Sequence, residues 1–523
     1  MPHPPCSGKG CGISTSHQGQ QKIAAVPKEY SISRNTDGSL AFSEIGSAQN
    51  LKNMLTELEI SQPKYSTIEA INPIDSSTSF FVFARNSRIV IAENFSAVRN
   101  PTHVGVDAEF VITNIFNNDT YGFNTIWRHV KNFPPGSKLC VNGENGENGG
   151  TLNFKIVEHL ENLIDLSNDD AMSILADEIG QKAESIAAKK IVVQFSGGRD
   201  SLGLLTAAQT TRSEVSAITW TYDRGSAHED LITASDYAKQ IGVRHTILDI
   251  CPSLLLQVPK ISEISPTIST SIAFIQFKKA LDEEISSNFG EDVLVLDGHG
   301  GDHVYLDPVP LEVILDARRE GLVKKLQIIR ILSQLNGVSF YQLFRATSEH
   351  RIDFPNKNQR FLSQSAFDFF AKSNASNRTG KEAHHLMMRQ AIHENSIHKH
   401  ESKARYFSPF TSKQILGSVW SLSPHSFFSE QQTRIPFEDS FFRFNKGLKL
   451  RKNKGHITGA FQHAIRIKKN KFKELIGDGY LGKNNILNVD EALSELSKCS
   501  LGYGGLNAVL LKALCFELML ISS

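Results

Sequence analysis

The 523-residue chain has no uninterrupted apolar stretch of membrane-spanning length, which excludes a helix that crosses a bilayer. Cysteine is sparse as well. The six thiols, at positions 6, 11, 140, 251, 499 and 515, are too scattered for a disulfide framework and fit a reduced protein. No second Cys or His pair lies near Cys6 and Cys11 at zinc spacing, so two free thiols in a flexible tail are expected there. Charge of one sign is also missing. With 56 Lys and Arg against 55 Asp and Glu, the net +1 argues against generic nucleic-acid binding over the whole surface. The first residues, MPHPPCSGKGCG, hold no basic region followed by an apolar core, so no secretory signal is expected and a cytoplasmic protein is.

What remains is the composition of a soluble globular protein, 40% hydrophobic and 21% charged, at a length that calls for two or three domains. Residues 1–28, rich in Pro, Gly, Ser, Gln and Lys, read as a disordered tail. From 29 to 155, short β-prone runs such as 79–84 and 88–91 alternate with turn clusters, and a small sheet-rich domain is expected. The segment NGENGENGG at 142–150 reads as a hairpin loop or linker. The stretch from 156 to 523 is expected to form a second domain. It opens with strand 191–195, helix 202–211, strand 215–221, helix 228–241 and strand 244–250, which predicts a parallel sheet. A further apolar run at 292–296 ends in a second Gly-rich loop, and from about 310 onward amphipathic patterns predict a mostly helical remainder.

Two loops carry the chemistry. Residues 189–201, KKIVVQFSGGRDS, are an apolar run ending in Ser196-Gly197-Gly198 and then Asp200-Ser201, with a helical pattern directly behind. Paired glycines let backbone amides approach an anion, and a helix N-terminus adds oriented N–H groups, so a phosphate cradle is predicted. It is not a Walker A loop, because no Lys-Ser/Thr pair follows the glycines. Asp200 would oppose a phosphate unless it holds Mg²⁺. The second loop, Asp297-Gly298-His299-Gly300-Gly301-Asp302-His303, follows the strand at 292–296. In a doubly wound sheet such loops gather at the C-terminal strand edge, so Asp200 and Asp302 are expected to share one Mg²⁺.

This pair of loops resembles that of the asparagine synthetase-like ATP pyrophosphatases, whose first loop reads Ser-Gly-Gly-x-Asp-Ser and whose second is Gly-rich and ends in Asp. The second loop looks most like that of the lasso peptide cyclases; asparagine synthetases carry Glu, and β-lactam synthetases Tyr, where His299 stands here. The resemblance spans about residues 30–475. It implies an N-terminal glutaminase-like (Ntn-type) β-rich sandwich domain, and an adenine nucleotide α-hydrolase-like synthetase domain built on a parallel sheet with a helical C-terminal part. ATP and Mg²⁺ are the implied cofactors. Ser196, Gly197, Gly198, Asp200, Ser201, Thr219, Asp297 and Gly298 are the implied nucleotide contacts.

Further likeness lies in Arg405-Tyr406-Phe407-Ser408-Pro409-Phe410, read as the family's Arg-x-Pro-Phe helix start with two extra residues and a structural role. Residues 125–136 are similar to the segment closing the glutaminase-like domain. That domain is expected to be inactive, since Pro2 follows Met1 and Cys6 sits in a polar tail. Relatives place a pyrophosphate-contacting lysine within the basic stretch 443–473, and Lys454 fits best, with Lys452 next. His299 has two readings, a base for the attacking amine or an orienting residue. His384, His385, His393, His398 and His400 read as surface histidines of a polar helix, and Glu229 and Asp230 as helix-start acids without chemistry. Arg199 reads as a phosphate contact or a solvent-facing side chain.

The activity implied is that of a lasso peptide cyclase. The enzyme adenylates an Asp or Glu side chain of a leader-cleaved precursor peptide, then joins it to the peptide's N-terminal amine, with a leader peptidase as partner. An asparagine or β-lactam-type synthetase acting on a small molecule is an alternative, as are a PP-loop RNA-modifying enzyme and a non-catalytic protein on a degenerate synthetase fold.

Overall fold

The computed structural model describes residues 29–34, 40–44, 59–64, 67–74, 76, 78–85, 88–93, 95, 105–116, 122–143, 152–160, 170–222, 226–264, 267–349, 360–373, 378–397, 404–445, 447–451, 458–503 and 507–522. The tail at 1–28 with Cys6 and Cys11, and His398 and His400, lie outside them.

Alternation of side chains builds the N-terminal region. Strands β1 (Glu29–Arg34), β2 (Leu40–Glu44), β5 (Phe80–Arg85), β6 (Arg88–Ala92) and β7 (Val130–Phe133) form one antiparallel sheet in the order β2-β1-β6-β5-β7. Strands β3 (Glu59–Lys64), β4 (Thr67–Asn72), β8 (Ser137–Gly143) and β9 (Leu152–Glu158) form the second, in the order β3-β4-β8-β9. Because successive residues face opposite sides, Phe80, Val82, Ile89 and Ile91 meet Ile68, Ala70, Leu139 and Val141 between the sheets. Phe81, Phe83 and Val90 face the other way, onto a cluster with Phe95, Trp127 and helix α1 (Ala108–Phe116). Strands β8 and β9 pair antiparallel, and most of the segment 142–150 lies outside the described residues.

The second half is built on parallel strands. β10 (Lys190–Gln194), β11 (Glu214–Thr221), β12 (Arg244–Asp249), β13 (Val293–Leu296) and β14 (Arg405–Phe407) pair in parallel in the order β12-β11-β10-β13-β14. Ile191, Val193, Leu294 and Leu296 enter one core, while Val192, Ile218 and Val295 enter the other. Burial on both faces explains why these strands read as continuous apolar runs rather than alternating ones. Helices α2 (Ala171–Ser185), α3 (Arg199–Ala208), α4 (Ser226–Ile241) and α5 (Ile275–Phe289) flank the sheet. Helix α3 starts one turn earlier than the sequence pattern predicts. Gly198, in extended conformation, is its N-cap, so Arg199, Asp200 and Ser201 are helical.

Strand order reverses around β10, which lies between β11 and β13. The loops after β10 and β13 therefore leave the same sheet edge side by side, where α/β sheets bind ligands. Beyond β13 the chain runs through short helix α6 (Gly301–Val304), helix α7 (Gly380–Ile397), helix α8 (Ile435–Phe444) and finally α9 (Ala508–Ser522). This remainder is mostly helical, as the sequence predicts, and β14 is its one exception among the named strands.

Packing sets a test of this core. Leu294 is fully buried in the middle of the sheet, whereas Leu335 is 46% exposed. Leu294→Ala is expected to cost about 2–5 kcal/mol, and Leu335→Ala to stay within about 0.5 kcal/mol, as read from urea unfolding midpoints.

Candidate active site

The first loop is a turn that only glycine fits well. Gly197 has φ +70°, and a Cβ there would stand 3.0 Å from the backbone nitrogen of Ala234 on α4. The Ser196 hydroxyl accepts from the Gly198 N–H at 3.3 Å, and Ser201 Oγ accepts from the Ser196 N–H at 3.3 Å. No side chain caps α3 at Gly198. Ser196 is exposed at the loop tip. An uncapped helix start behind a tight glycine turn is the local chemistry of an anion cradle.

The second loop lies directly on the first. A Cβ at Gly298 would stand 3.1 Å from Asp200 Cβ, and one at Gly301 only 2.2 Å from Asp200 Oδ1. Gly300 has φ +90°, and a Cβ there would come within 2.8 Å of Thr411. These glycines are the condition for Asp200 and Asp302 to approach one another. Asp297 Oδ1 ties the loop down, accepting from the His299 N–H at 3.0 Å and from the Ser408 hydroxyl at 2.7 Å.

One guanidinium joins the two carboxylates. Arg434 is 1% exposed; its Nη2 donates to Asp200 Oδ1, and its Nη1 to Asp302 Oδ1 at 3.2 Å. It lies 5.9 Å from the Tyr305 ring centroid and 5.3 Å from that of Phe437. Burial works against its charge, but Asp200, then Asp302 and Asp307, more than offset this and hold the guanidinium protonated. Its backbone adopts φ +61°, a strained value for a non-glycine residue, and its Nε has no hydrogen-bond partner among the described atoms. The residues following it read Ile435-Pro436-Phe437 and open α8. The segment 405–410 forms edge strand β14 and enters a single 3-10 turn, and the next helix begins at Lys413.

Other expected residues fall into place unevenly. The Thr219 hydroxyl is engaged by the Phe195 carbonyl and by His245 Nε2 at 2.7 Å, so its side chain serves the sheet. Arg199 neither contacts the loop tip nor faces solvent. It pairs with Glu438 at 2.7 Å and Asp307 at 3.6 Å. His299 Nε2 lies 2.9 Å from the Ala391 carbonyl on α7, and a carbonyl can only accept, so Nε2 carries the proton and Nδ1 the lone pair. Lys452 and Lys454 lie outside the described residues. In the basic stretch, Arg443 pairs with Asp170 at 2.8 Å and Arg451 with Asp230, so Asp230 has a structural partner. Lys468 donates to the carbonyls of Ser253, Leu255 and Leu256. A cation that no local motif announces is Lys278 on α5. Burial pushes its ammonium below the ordinary value, against the opposing charges of Asp297 and Glu394.

The histidines of α7 are not on the surface. His384 is 1% exposed and donates to the Val304 carbonyl at 2.8 Å; His393 is 3% exposed, with Nε2 3.2 Å from Thr267 Oγ1 and Nδ1 3.4 Å from Asn132 Nδ2. Among the described residues, no group of three His, Cys, Asp or Glu is arranged to hold a metal ion. Their role is to fasten α7 to its neighbours.

The sequence profile of the family described as "Queuosine biosynthesis protein QueC" matches residues 190–272. Over that segment the chain is similar to this family. The matched residues run from β10 past β12 and take in the first glycine loop but not the second. A solved structure described as "Structure of the allosteric regulatory enzyme of purine biosynthesis" aligns at 10% identity over 42% of this chain and 48% of its own, with a TM-score of 0.11. The aligned part thus spans about half of that structure's length.

Two outcomes follow from this geometry. Arg434→Met leaves the buried Asp200 carboxylate without its cation beside the half-buried Asp302 and is expected to cost about 3–5 kcal/mol in chemical unfolding, with Asp200→Asn restoring part of the loss in the double variant. Burial pushes both His384 and His393 down to about 4 from an ordinary 6.5. Their neutral forms belong to the fold, so their stability contribution is complete above pH 6.5 and is lost as pH falls toward 4. His384→Gln, which keeps a donor for the Val304 carbonyl, is expected to flatten the fall of melting temperature with acidification over that range.

Proposed function

We propose that the protein is an ATP-dependent, AMP-forming macrolactam synthetase that closes a ring on a peptide. The observation that carries this is the contact of the two loops at Asp200, with Gly301 placed where any Cβ would strike Asp200 Oδ1. A phosphate cradle and a second acidic loop then face one ligand. The family profile supports ATP use and covers none of the second loop, so the peptide substrate rests on the likeness of residues 297–303 to lasso peptide cyclases.

In this reading Ser196, Gly197, Gly198 and Ser201 bind the nucleotide phosphates, with Asp297 and Gly298 on the facing wall. The peptide's Asp or Glu carboxylate oxygen attacks the α-phosphorus, and pyrophosphate leaves. The N-terminal amine, freed by a leader peptidase, then attacks the acyl carbon; AMP leaves and the isopeptide bond forms. A carboxylate needs this activation because its own leaving group would be oxide, and enforced proximity supplies much of the remaining rate. Asp200 and Asp302 are hard oxygen donors of the kind Mg²⁺ takes, and a divalent ion there would share them with Arg434. Mg²⁺ bound there would neutralise phosphate charge. Lys454 or Lys452 would stabilise the departing pyrophosphate. His299 Nδ1, which carries the lone pair, would take the proton that the amine nitrogen sheds as the isopeptide bond forms.

The test is incubation with ATP, Mg²⁺ and a leader-free candidate peptide, followed by mass spectrometry and pyrophosphate detection. Loss of one water with peptide-dependent pyrophosphate release is expected, reduced about a hundredfold or more in Asp200→Ala. Pyrophosphate release that depends on a free amino acid or on RNA, and not on peptide, would overturn the assignment.

A further inference from the structure

The N-terminal sandwich has its own cavity, about which the nucleotide chemistry says nothing. Strands β7 and β9 end their respective sheets, and between these edges lies a space of ≈ 480 Å³. That volume falls within the ~300–1,000 Å³ of small-ligand sites. Phe123 and Phe154 supply apolar wall; Asn124, His129, Lys131 and Lys155 supply the polar groups, and among the described residues no carboxylate lines it.

Its chemistry is one-sided. Elsewhere in the sandwich Lys138 pairs with Glu69 at 3.3 Å, and Glu158 on β9 takes Arg389 of α7 at 2.8 Å. Among the described residues neither Lys131 nor Lys155 has an ion-pair partner. Lys131 donates instead to the neutral Asn124 Oδ1 at 2.6 Å, and an antiparallel bridge between the same two residues fixes the backbone. The ammonium is therefore held in place without being discharged. His129 keeps a left-handed backbone at φ +64°, a conformation that costs energy in a non-glycine residue. Two undischarged cations beside aromatic wall fit an anion carried on an apolar body.

We propose that this cavity is a binding site for a carboxylate borne on an aromatic or alkyl body. The ligand is either a free arylalkanoic acid or an acidic residue beside an aromatic one in a peptide. Its position gives it a route to the nucleotide loops. The next residue on β7, Asn132, touches His393, and the same helix α7 holds His299 through the Ala391 carbonyl.

Calorimetric titration of the full chain at low salt tests this with 3-phenylpropanoate, its uncharged amide and the blocked dipeptide Ac-Glu-Phe-NH₂. The acid is expected to bind about tenfold or more tighter than the amide. Lys131→Met and Lys155→Met should each weaken the acid about tenfold and leave the amide unchanged, with melting temperature recorded to confirm folding. Tighter binding of the dipeptide than of the free acid identifies a peptide ligand, and the reverse a free acid. Equal binding of acid and amide, binding of none of the probes, or acid binding unchanged in both folded lysine variants would overturn the proposal.

Discussion

Two carboxylates brought together at the edge of a sheet repel each other, and burial makes the repulsion worse. In this protein Arg434 resolves the conflict: its guanidinium joins Asp200 on the first loop to Asp302 on the second, while Tyr305 and Phe437 wall it from water. Removing Arg434 and Asp200 from solvent carries a large desolvation cost, which a buried ion network recovers only with good geometry. The strained φ of Arg434, the close-approach glycines at 298 and 301, and the Arg199 pair with Glu438 on α8 all serve that geometry. The site is thus assembled from its charges outward.

Helix α7 sets this assembly into the rest of the molecule. One side of it receives His299 at Ala391 and gives His384 to Val304, so both ends of the second loop rest on it. The other side reaches the sandwich through His393 to Asn132 and through Arg389 to Glu158. The N-terminal sandwich is therefore not detached from the candidate site. It forms part of the frame that fixes where the second loop stands.

Much of the fold was legible in the sequence because the parallel strands are buried on both faces and appear as short apolar runs such as IVV and VLVL. Both loops were legible because glycines at a strand end stand together with aspartates at fixed offsets, Asp200 in one and Asp297 and Asp302 in the other. What escaped reading depends on distance along the chain. Nothing near Arg434 declares that it will meet Asp200, and nothing near Lys278 declares the nearby charge of Asp297. Burial of His384 and His393 was missed because α7 is polar in composition and is covered by other elements rather than by its own apolar stripe. Edge strand β14, three residues long, carries too little pattern to be seen at all.

The separation between these partners has a consequence in time. Arg434 lies 234 residues after Asp200 and 132 after Asp302. A ribosome adding roughly 5–20 residues per second completes both acidic loops well before their shared counterion exists. During synthesis the two glycine loops can be present while the charge that reconciles them is not. Asp200 and Asp302 thus meet their shared guanidinium only after residue 434 has been added.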